Sequence, residues 1–346
     1  MIERIRPALC SGAAAMLMMA ACAEAPKQEE KKAAAEAASA GTVARIDPAF
    51  DALVPAGASI EKLAGGMGFI EGPLWMKAGY LLFSDVTGNK IWKWAPGMAA
   101  AETFLEKSGA DECPEGTYCG SNGLNLDKKG RVLVCQHGRG RIVAIEADGK
   151  HTVIADKFEG KRLNSPNDTA WKSDGSLYFT DPPYGFPKQD DDPKKVLKFN
   201  GIYRLNPDGK VKLLHKDMTR PNGIAFSPDE KTLYVANSDP AKKLWMKFTV
   251  AADGSLGDAK VFFDVTAEKE DGLPDGLKVD KSGNIYATGP GGVWIFNPEG
   301  KLLGKIQPTE HPANVGWGDD GKTLYMTART GLYRIKLSAE GVLPGM

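Results

Sequence analysis

The segment EGPLW at residues 71–75 decides the fold, because versions of it recur along the chain. The first residue of EGPLW aligns, without gaps, with the second residue of SNGLNL (121–126), PNDTAW (166–171), PNGIAF (221–226), PDGLKV (274–279) and the weaker PANVGW (312–317). The aligned residues, Glu71, Asn122, Asn167, Asn222, Asp275 and Ala313, are 51, 45, 55, 53 and 38 residues apart. Such spacings are typical of repeat architectures of the β-propeller size.

Each repeat continues outward with further strand-like runs. A turn that often carries Asp-Gly, as at residues 174–175 and 320–321, leads into an apolar run such as SLYFTD (176–181) or TLYMTA (323–328). Another run follows, such as GIYRLN (201–206) or GLYRIK (331–336). Six units of about four short strands predict an all-β fold, a six-bladed β-propeller over residues 51–346. Residues 58–64 are expected to supply the outer strand that closes the last blade.

The composition agrees with this prediction and excludes several partners. The chain has 346 residues, of which 40 are Gly and 22 are Pro, so turn formers are abundant and helical bundles are disfavoured. Its 44 Lys and Arg balance 44 Asp and Glu. A chain without net charge has no long-range field to gather nucleic acid or an acidic membrane surface, and neither is expected as a partner.

The N-terminus has the pattern of an export signal. Arg4 and Arg6 precede an apolar stretch at residues 8–21 that is too short to span a bilayer. It ends in Met-Ala-Ala before Cys22, which resembles a bacterial lipobox with Met19 in place of the commoner leucine. We expect a signal peptide at residues 1–21 and a lipidated tether at 22–50. The protein would then lie on the periplasmic face of the cell envelope, with its membrane contact limited to a lipid anchor at Cys22. Plain secretion, with Cys22 incidental, is the alternative.

Three cysteines remain after the leader, Cys113, Cys119 and Cys135. The first two flank a short turn, and an oxidising compartment would allow a local disulfide between them. Cys135 lies in an apolar run and is expected to be a small buried side chain.

The aligned position of the repeats predicts a site. Equivalent residues of a propeller are related by rotation about the central axis, so one residue from each blade faces the same mouth of the channel. Five of the six carry side-chain oxygens: Glu71, Asn122, Asn167, Asn222 and Asp275. Such a ring suits one divalent cation, foremost Ca²⁺, with Mg²⁺, Mn²⁺ or Zn²⁺ as alternatives. The competing interpretation is that these residues only form turns, although Glu71 is a poor turn former.

Two neighbouring residues leave alternatives open. The next position in the repeat is Gly in four units but Asp168 in the third. Asp168 is either a substitute that tolerates a left-handed backbone or a third, unpaired carboxylate that serves as a base. His137 follows the second strand of its repeat and either lines the mouth or makes a structural hydrogen bond. Asn122, Asn167 and His137 are the expected substrate contacts.

Longer motifs carry a resemblance to a known family. EGPLW with LLFSDV, RLNSPND with TDPPYG, PNGIAF with LYVANS, and LPDGLKVD with GNIYATG occur in order over residues 57–338. They resemble the family of gluconolactonases, senescence marker proteins and luciferin-regenerating enzymes, and most closely its bacterial gluconolactonase-like branch. The insert at residues 186–200 lies outside the resemblance.

The resemblance implies a six-bladed propeller that binds one cation, usually calcium, and hydrolyses lactones of sugar acids. It places the metal ligands at Glu71, Asn222 and Asp275, and it makes Asn167 a ligand for metal or substrate. Asp275 would also be the general base, with Asp168 as the other candidate.

Two functions compete at this point. A cation-dependent lactonase acting on a small lactone such as gluconolactone is favoured, and an esterase acting on phosphotriesters or aryl esters is a variant of it. The rival from another class is a non-catalytic binding propeller with a structural cation. No G-x-S-x-G elbow, Walker loop or dinucleotide motif occurs, which disfavours serine-hydrolase and nucleotide chemistry.

Overall fold

The computed structural model describes residues 39–345, in which strands form six antiparallel sheets of four or five strands each. The predicted signal peptide at 1–21 and the predicted lipid site Cys22 lie outside these residues. Within residues 39–345, no helix combines the length and the apolar character that crossing a membrane requires.

The elements follow one another in chain order. Three precede the first blade: β1 (Gly41–Arg45), a 3₁₀ helix (Pro48–Ala52) and β2 (Glu61–Ala64). Blade 1 contains β3 (Ile70–Met76), β4 (Tyr80–Asp85), β5 (Lys90–Trp94) and β6 (Glu102–Glu106). Blade 2 contains β7 (Ser121–Leu126), β8 (Val132–Gln136), β9 (Arg141–Ile145) and β10 (His151–Ala155). A two-stranded ribbon follows, made of β11 (Lys157–Phe158) and β12 (Lys161–Arg162).

The second half of the chain repeats the pattern. Blade 3 contains β13 (Thr169–Trp171), β14 (Leu177–Asp181), β15 (Gly201–Leu205) and β16 (Val211–His215), with a 3₁₀ helix (Gln189–Asp191) between β14 and β15. Blade 4 contains β17 (Pro221–Phe226), β18 (Thr232–Asp239), β19 (Lys242–Val250) and β20 (Leu256–Asp264). Blade 5 contains β21 (Leu277–Val279), β22 (Ile285–Gly289), β23 (Gly292–Phe296) and β24 (Leu302–Pro308). Blade 6 contains β25 (Pro312–Gly318), β26 (Thr323–Ala328) and β27 (Gly331–Lys336).

The innermost strands close into a ring, which confirms the predicted six-bladed propeller. Strand β3 contacts β7, β7 contacts β13, and the series continues through β17, β21 and β25 back to β3. Strand β2 pairs with β27, with Glu61 opposite Arg334, so the segment at 58–64 closes the last blade as predicted. Joining the N-terminal segment to the C-terminal blade ties the two ends of the ring together.

The N-terminal boundary of the fold differs from the predicted one. Strand β1 adds a fifth strand to blade 5 by pairing with β24, from Gly41 opposite Pro308 to Arg45 opposite Gly304. Phe50 is fully buried and belongs to the core cluster that contains Ile306. The predicted tether at 22–50 is therefore part of the propeller from about residue 41. The small side chains of GTVAR hid this strand, because their backbone pairing stabilises it more than their apolar surface does.

The core lies between neighbouring blades. Trp75 of blade 1 stacks on Tyr325 of blade 6 with ring centroids 5.5 Å apart, and Trp245 of blade 4 lies 5.4 Å from Phe296 of blade 5. Burial of such a side chain contributes about 1.5–3 kcal/mol. Because each interface holds its own apolar cluster, the blades are fixed relative to the channel axis, and so are the loops at its mouth.

The glycine that follows the aligned position allows close approach of the next blade. A Cβ on Gly123 would lie 2.4 Å from the carbonyl oxygen of Asn167, and one on Gly223 would lie 2.3 Å from that of Asp275. Of the four glycines here, only Gly72 has a positive φ, +54°. Asp168 also has no positive φ. The left-handed explanation for Asp168 is therefore wrong, and close packing accounts for the glycines.

Candidate metal and substrate site

The five oxygen-bearing residues of the aligned position meet at one cavity. Each stands at the start of the innermost strand of its blade, within β3, β7 and β17 or just before β13 and β21. The cavity has a volume of about 240 Å³. Its wall includes all five: Glu71, Asn122, Asn167, Asn222 and Asp275. The predicted ring thus exists, and blade 6 alone contributes an apolar side chain, Ala313.

Several acceptor atoms at this cavity have no donor within the described chain. They are Oδ1 of Asn122, Oδ1 of Asn167 and Oδ1 of Asp275, all of them buried. A buried acceptor without a partner costs about 1–3 kcal/mol. A bound cation would give Asn167 Oδ1 and Asp275 Oδ1 the partner that they lack, because amide and carboxylate oxygens are the ligands that hard cations prefer. The residues present therefore fit a divalent cation.

The composition of the ring explains which metal chemistry it suits. Across residues 39–345, no three or more His, Cys, Asp or Glu side chains cluster as a metal site would require. The ring has only two carboxylates, Glu71 and Asp275, and its other oxygens belong to amides. Such a set suits Ca²⁺ or Mg²⁺ better than Zn²⁺, which prefers nitrogen and sulfur.

The two carboxylates lack a compensating charge of their own. Glu71 Oε2 accepts hydrogen bonds from the Gly72 N–H and from Asn314 Nδ2, both at 2.9 Å. Burial nevertheless raises the pKa of Glu71 to about 7. Burial, followed by the charges of Glu71 and Asp168, raises the pKa of Asp275 well above its ordinary value. A divalent cation would offset this charge and favour the ionised form of both groups.

Asp168 lies close to the ring but is not part of the cavity wall. Its Oδ2 is 3.4 Å from Lys278 Nζ, and its Oδ1 accepts a hydrogen bond from the Thr169 N–H. The carboxylate is thus paired, contrary to the prediction of an unpaired third carboxylate. The ion pair joins blades 3 and 5, and it favours Asp275 over Asp168 as the base.

His137 lines the cavity and also makes a structural hydrogen bond, so both of the alternatives that the sequence left open are present. Its Nδ1 lies 3.2 Å from the carbonyl oxygen of Tyr118, so Nδ1 carries the proton and Nε2 is an acceptor. Burial lowers the pKa of His137 to about 4, and the ring is neutral at physiological pH. Nε2 has no partner in the described chain. A substrate hydroxyl could donate to it.

The rest of the wall was not identified from the sequence. It comprises Phe69, Tyr118, Tyr184, Gln189, Ser238 and Leu273. Tyr184 belongs to the TDPPYG motif, and Ser238, which accepts a 2.8 Å hydrogen bond from Asn222 Nδ2, belongs to LYVANS. The two motifs could therefore have identified Tyr184 and Ser238 as wall residues. No motif identifies Gln189, because it lies in the insert at residues 186–200.

Tyr118 stands beside a disulfide that the cysteine spacing had left open as a possibility. Cys113 and Cys119 are bonded, with Cα atoms 5.6 Å apart. The ring of Tyr118 packs edge-on against Phe69, with centroids 5.4 Å apart. Cys135 is free and buried, as predicted. The disulfide thus closes the loop that places Tyr118 at the mouth.

Fold and site together define a six-bladed β-propeller whose mouth presents a ring of oxygen ligands. Residues 69–330 match the SMP-30/Gluconolactonase/LRE-like region. The chain belongs to this family, which confirms the resemblance found in the sequence motifs.

Individual relatives agree with this assignment. The chain is 37% identical over 313 residues to a gluconolactonase of Zymomonas mobilis, a match that covers 87% of each chain. A solved structure of a gluconolactonase from Xanthomonas campestris is 31% identical, with a TM-score of 0.73, and the match covers 85% of this chain and 94% of that one. A calcium-binding regucalcin from Agrobacterium tumefaciens shares the fold at 20% identity, with a TM-score of 0.64 over 82% of this chain and 97% of that one. The two gluconolactonase relatives support an enzyme rather than a non-catalytic binding propeller, whereas the regucalcin match shows the shared fold alone.

Proposed function

We propose that this protein is a lactonase that hydrolyses sugar-acid lactones such as gluconolactone with the help of one divalent cation, Ca²⁺ foremost. The residues that would hold the cation are Glu71, Asn167, Asn222 and Asp275. The observation that carries the proposal is the convergence of two buried carboxylates and of amide oxygens without donors on one cavity.

The size and lining of the cavity suit a small polyhydroxylated substrate. A volume of about 240 Å³ has room for a single sugar ring and little more. The aromatic side chains of Phe69, Tyr118 and Tyr184 offer flat apolar surface, and His137 and Gln189 offer hydrogen-bonding groups beside it. Burial, followed by the charge of Asp275, raises the pKa of Tyr184 above its ordinary value, so its hydroxyl stays protonated and can donate.

The reaction needs a base and a way to stabilise charge on the lactone carbonyl. When bound, the cation would supply Lewis-acid polarisation of that carbonyl. Asp275 accepts a proton from the attacking water, because its Oδ1 receives no hydrogen bond from the described chain and the bound cation would keep the carboxylate ionised. It returns the proton to the ring oxygen as the ester bond breaks. Asn122 and His137 hold the substrate hydroxyls, and Asn314 fixes Glu71 through its 2.9 Å hydrogen bond.

A panel of lactones tests the proposal. Hydrolysis of glucono-δ-lactone and of smaller, non-sugar lactones is followed with a pH indicator, with calcium, magnesium, manganese, zinc or a chelator. We expect turnover of sugar lactones that the chelator abolishes. Alanine at Glu71 or Asn222 should remove activity and bound metal together, whereas Asp148→Ala, in an exposed turn, should change neither. Absence of turnover with every metal would refute the proposed activity and favour a binding propeller.

We also propose that the protein is exported and anchored at Cys22, on the periplasmic face of the envelope. The leader sequence supports this, and so does the Cys113–Cys119 disulfide, since disulfides persist in oxidising compartments. Fractionation of cells that express the native chain or Cys22→Ser tests it. We expect the native chain in the membrane fraction and the variant in the soluble periplasm, and equal distribution of both would contradict the anchor.

A further inference from the structure

A second cavity lies beside blade 2, and its lining is strongly basic. It has a volume of about 500 Å³, twice that of the cavity at the mouth. Its wall is made entirely of charged residues: Asp111, Arg139, Arg141, Asp156, Lys157 and Arg162. None of them belongs to the ring or to the expected substrate contacts, and nothing in the proposed mechanism uses them.

The charges around this cavity are only partly compensated. Arg139 pairs with Asp111 at 2.5 Å, and Lys157 pairs loosely with Asp156 at 3.8 Å. Arg141 and Arg162 have no carboxylate oxygen within 4.0 Å in the described chain. Two guanidinium groups therefore face the same space without a direct ion pair, and the two carboxylates of the wall, Asp111 and Asp156, each already pair with another cation.

The hydrogen bonds of the two arginines differ and give them separate roles. Arg162 donates to the carbonyl oxygens of Leu163, Asn164 and Gly138, and its guanidinium lies 4.8 Å from the ring centroid of Phe186. It is therefore fixed in the wall. Arg141 donates only through Nε, to Gln136 Oε1 at 2.7 Å. Both terminal nitrogens of Arg141 are thus left to bind a ligand.

Electrostatics supports the same conclusion. Burial, followed by the neighbouring charge of Arg139, lowers the pKa of Arg141, and burial also lowers the pKa of Arg162. Both groups remain charged at physiological pH, because a guanidinium is protonated under all ordinary conditions. Like charges held close together destabilise the site until an anion joins them.

We infer that this cavity is a binding site for a small oxyanion, of the sulfate, phosphate-ester or carboxylate class. A planar guanidinium with two free terminal nitrogens matches such an anion in a bidentate manner, and Arg162 supplies a second fixed positive charge. The turn between β8 and β9 connects the two cavities, because it carries His137 into the mouth and Arg139 into the basic cavity, and Arg141 at the start of β9 also lines the basic cavity.

Titration of inorganic sulfate into the purified protein tests the site. The titration is done by calorimetry at constant ionic strength, with chloride as the competing salt. We expect one saturable sulfate per chain, with affinity reduced about tenfold in Arg141→Gln and partly retained in Arg141→Lys. Arg329→Gln removes an exposed guanidinium that pairs with Asp271 elsewhere, and it should bind sulfate like the native chain. Thermal unfolding of each variant verifies that it is folded.

Kinetics distinguish two sources of the anion. If the anion is a substituent of the substrate, Arg141→Gln raises KM for an anionic lactone and leaves KM for a neutral lactone unchanged. If the anion is a separate small ion, Arg141→Gln loses sulfate binding with both KM values unchanged. Absence of saturable binding, or saturable binding that Arg141→Gln leaves intact, would overturn the inference.

Discussion

Both ends of the blades carry Asp or Asn side chains, but these accept backbone hydrogen bonds at one end and have oxygens without donors at the other. In the hairpin turns that follow the innermost strands, at the end far from the mouth, each carboxylate accepts from a backbone N–H two residues later: Asp174 from Ser176 at 2.8 Å, Asp229 from Lys231 at 3.1 Å and Asp320 from Lys322 at 2.9 Å. At the mouth, Oδ1 of Asn122, Asn167 and Asp275 accepts nothing from the described chain. An Asp or Asn that its own turn satisfies is structural, whereas one left open is available to a ligand.

The pKa values of the carboxyl groups also differ between the far-end turns and the mouth. The side-chain hydrogen bond from Ser227 is the main reason that the pKa of Asp229 is lowered. Burial raises the pKa of Asp275 instead. The sharpest pair is Asp275 and Asp280, which flank the three-residue strand β21. Asp280 accepts from the N–H groups of Ser282 and Asn284, each at 2.8 Å, and is almost fully buried without any role at the mouth.

The largest effect is expected for Asp275→Asn. The change keeps the shape of the side chain but removes its ability to take a proton, so kcat should fall about 10³-fold. The metal-free protein should be at least as stable as the native chain, because the variant no longer buries an uncompensated charge. Rate assays and urea unfolding measure the two. A variant that stays active, or that is strongly destabilised, would show that Asp275 has a structural role like the Asp residues of the far-end turns.

The next effect is a pH dependence of stability in the metal-free protein. The folded-state pKa of Glu71, about 7, lies above its ordinary value of 4.5, so the native state holds this proton more tightly than the unfolded chain does. The free energy of unfolding should therefore decrease as pH rises from about 5 to about 7, by on the order of 2 kcal/mol. Urea titrations across this range measure it. Glu71→Gln should make the slope less steep, with a remainder from Asp181, whose pKa burial also raises to about 7. A native protein whose stability rises over the same range would contradict the assignment.

Asp280→Ala should show the reverse pattern to Asp275→Asn. Loss of its buried hydrogen bonds should lower the free energy of unfolding by about 2 kcal/mol. The kcat and KM of the variant that remains folded should equal those of the native chain, because Asp280 does not line the cavity. Unfolding and rate measurements on the same preparation test this, and a loss of turnover without a loss of stability would be inconsistent with a structural role.

The smallest effect is expected for Asp208→Ala. Asp208 lies in the exposed turn between β15 and β16 and accepts from the Lys210 N–H at 3.0 Å. Water can replace that hydrogen bond in the variant. The melting temperature and the rate should both match the native values within error, and a large loss of either would mean that the far-end turns do more than join strands.

The fold and the ring were predictable because repetition makes equivalent positions visible. Aligning six segments locates Glu71 and Asp275 at one mouth without any knowledge of distances. The ion pair between Asp168 and Lys278 was not predictable, since it joins residues from different blades whose side-chain directions the repeat does not fix. Strand β1 was missed because backbone pairing, rather than apolar surface, stabilises it.

The least predictable parts of the site come from loops. Tyr118 reaches the mouth from a disulfide-closed loop and Gln189 from an insert, and neither occupies a repeated position. The basic cavity likewise collects Arg139 from a turn, Arg141 from the start of β9 and Arg162 from the ribbon β11–β12. Symmetry therefore predicts the metal ring, whereas the departures from symmetry determine what else the protein binds.

The most direct test of the central claim is the rate of glucono-δ-lactone hydrolysis by metal-free protein as calcium is added, with bound calcium counted in the same samples. The rate should rise in proportion to bound calcium and level off at one ion per chain, and Asp275→Asn should stay inactive throughout. Full activity without a bound ion, or no activity at full occupancy with calcium, magnesium, manganese or zinc, would contradict the proposal that the ring at the mouth is the active centre.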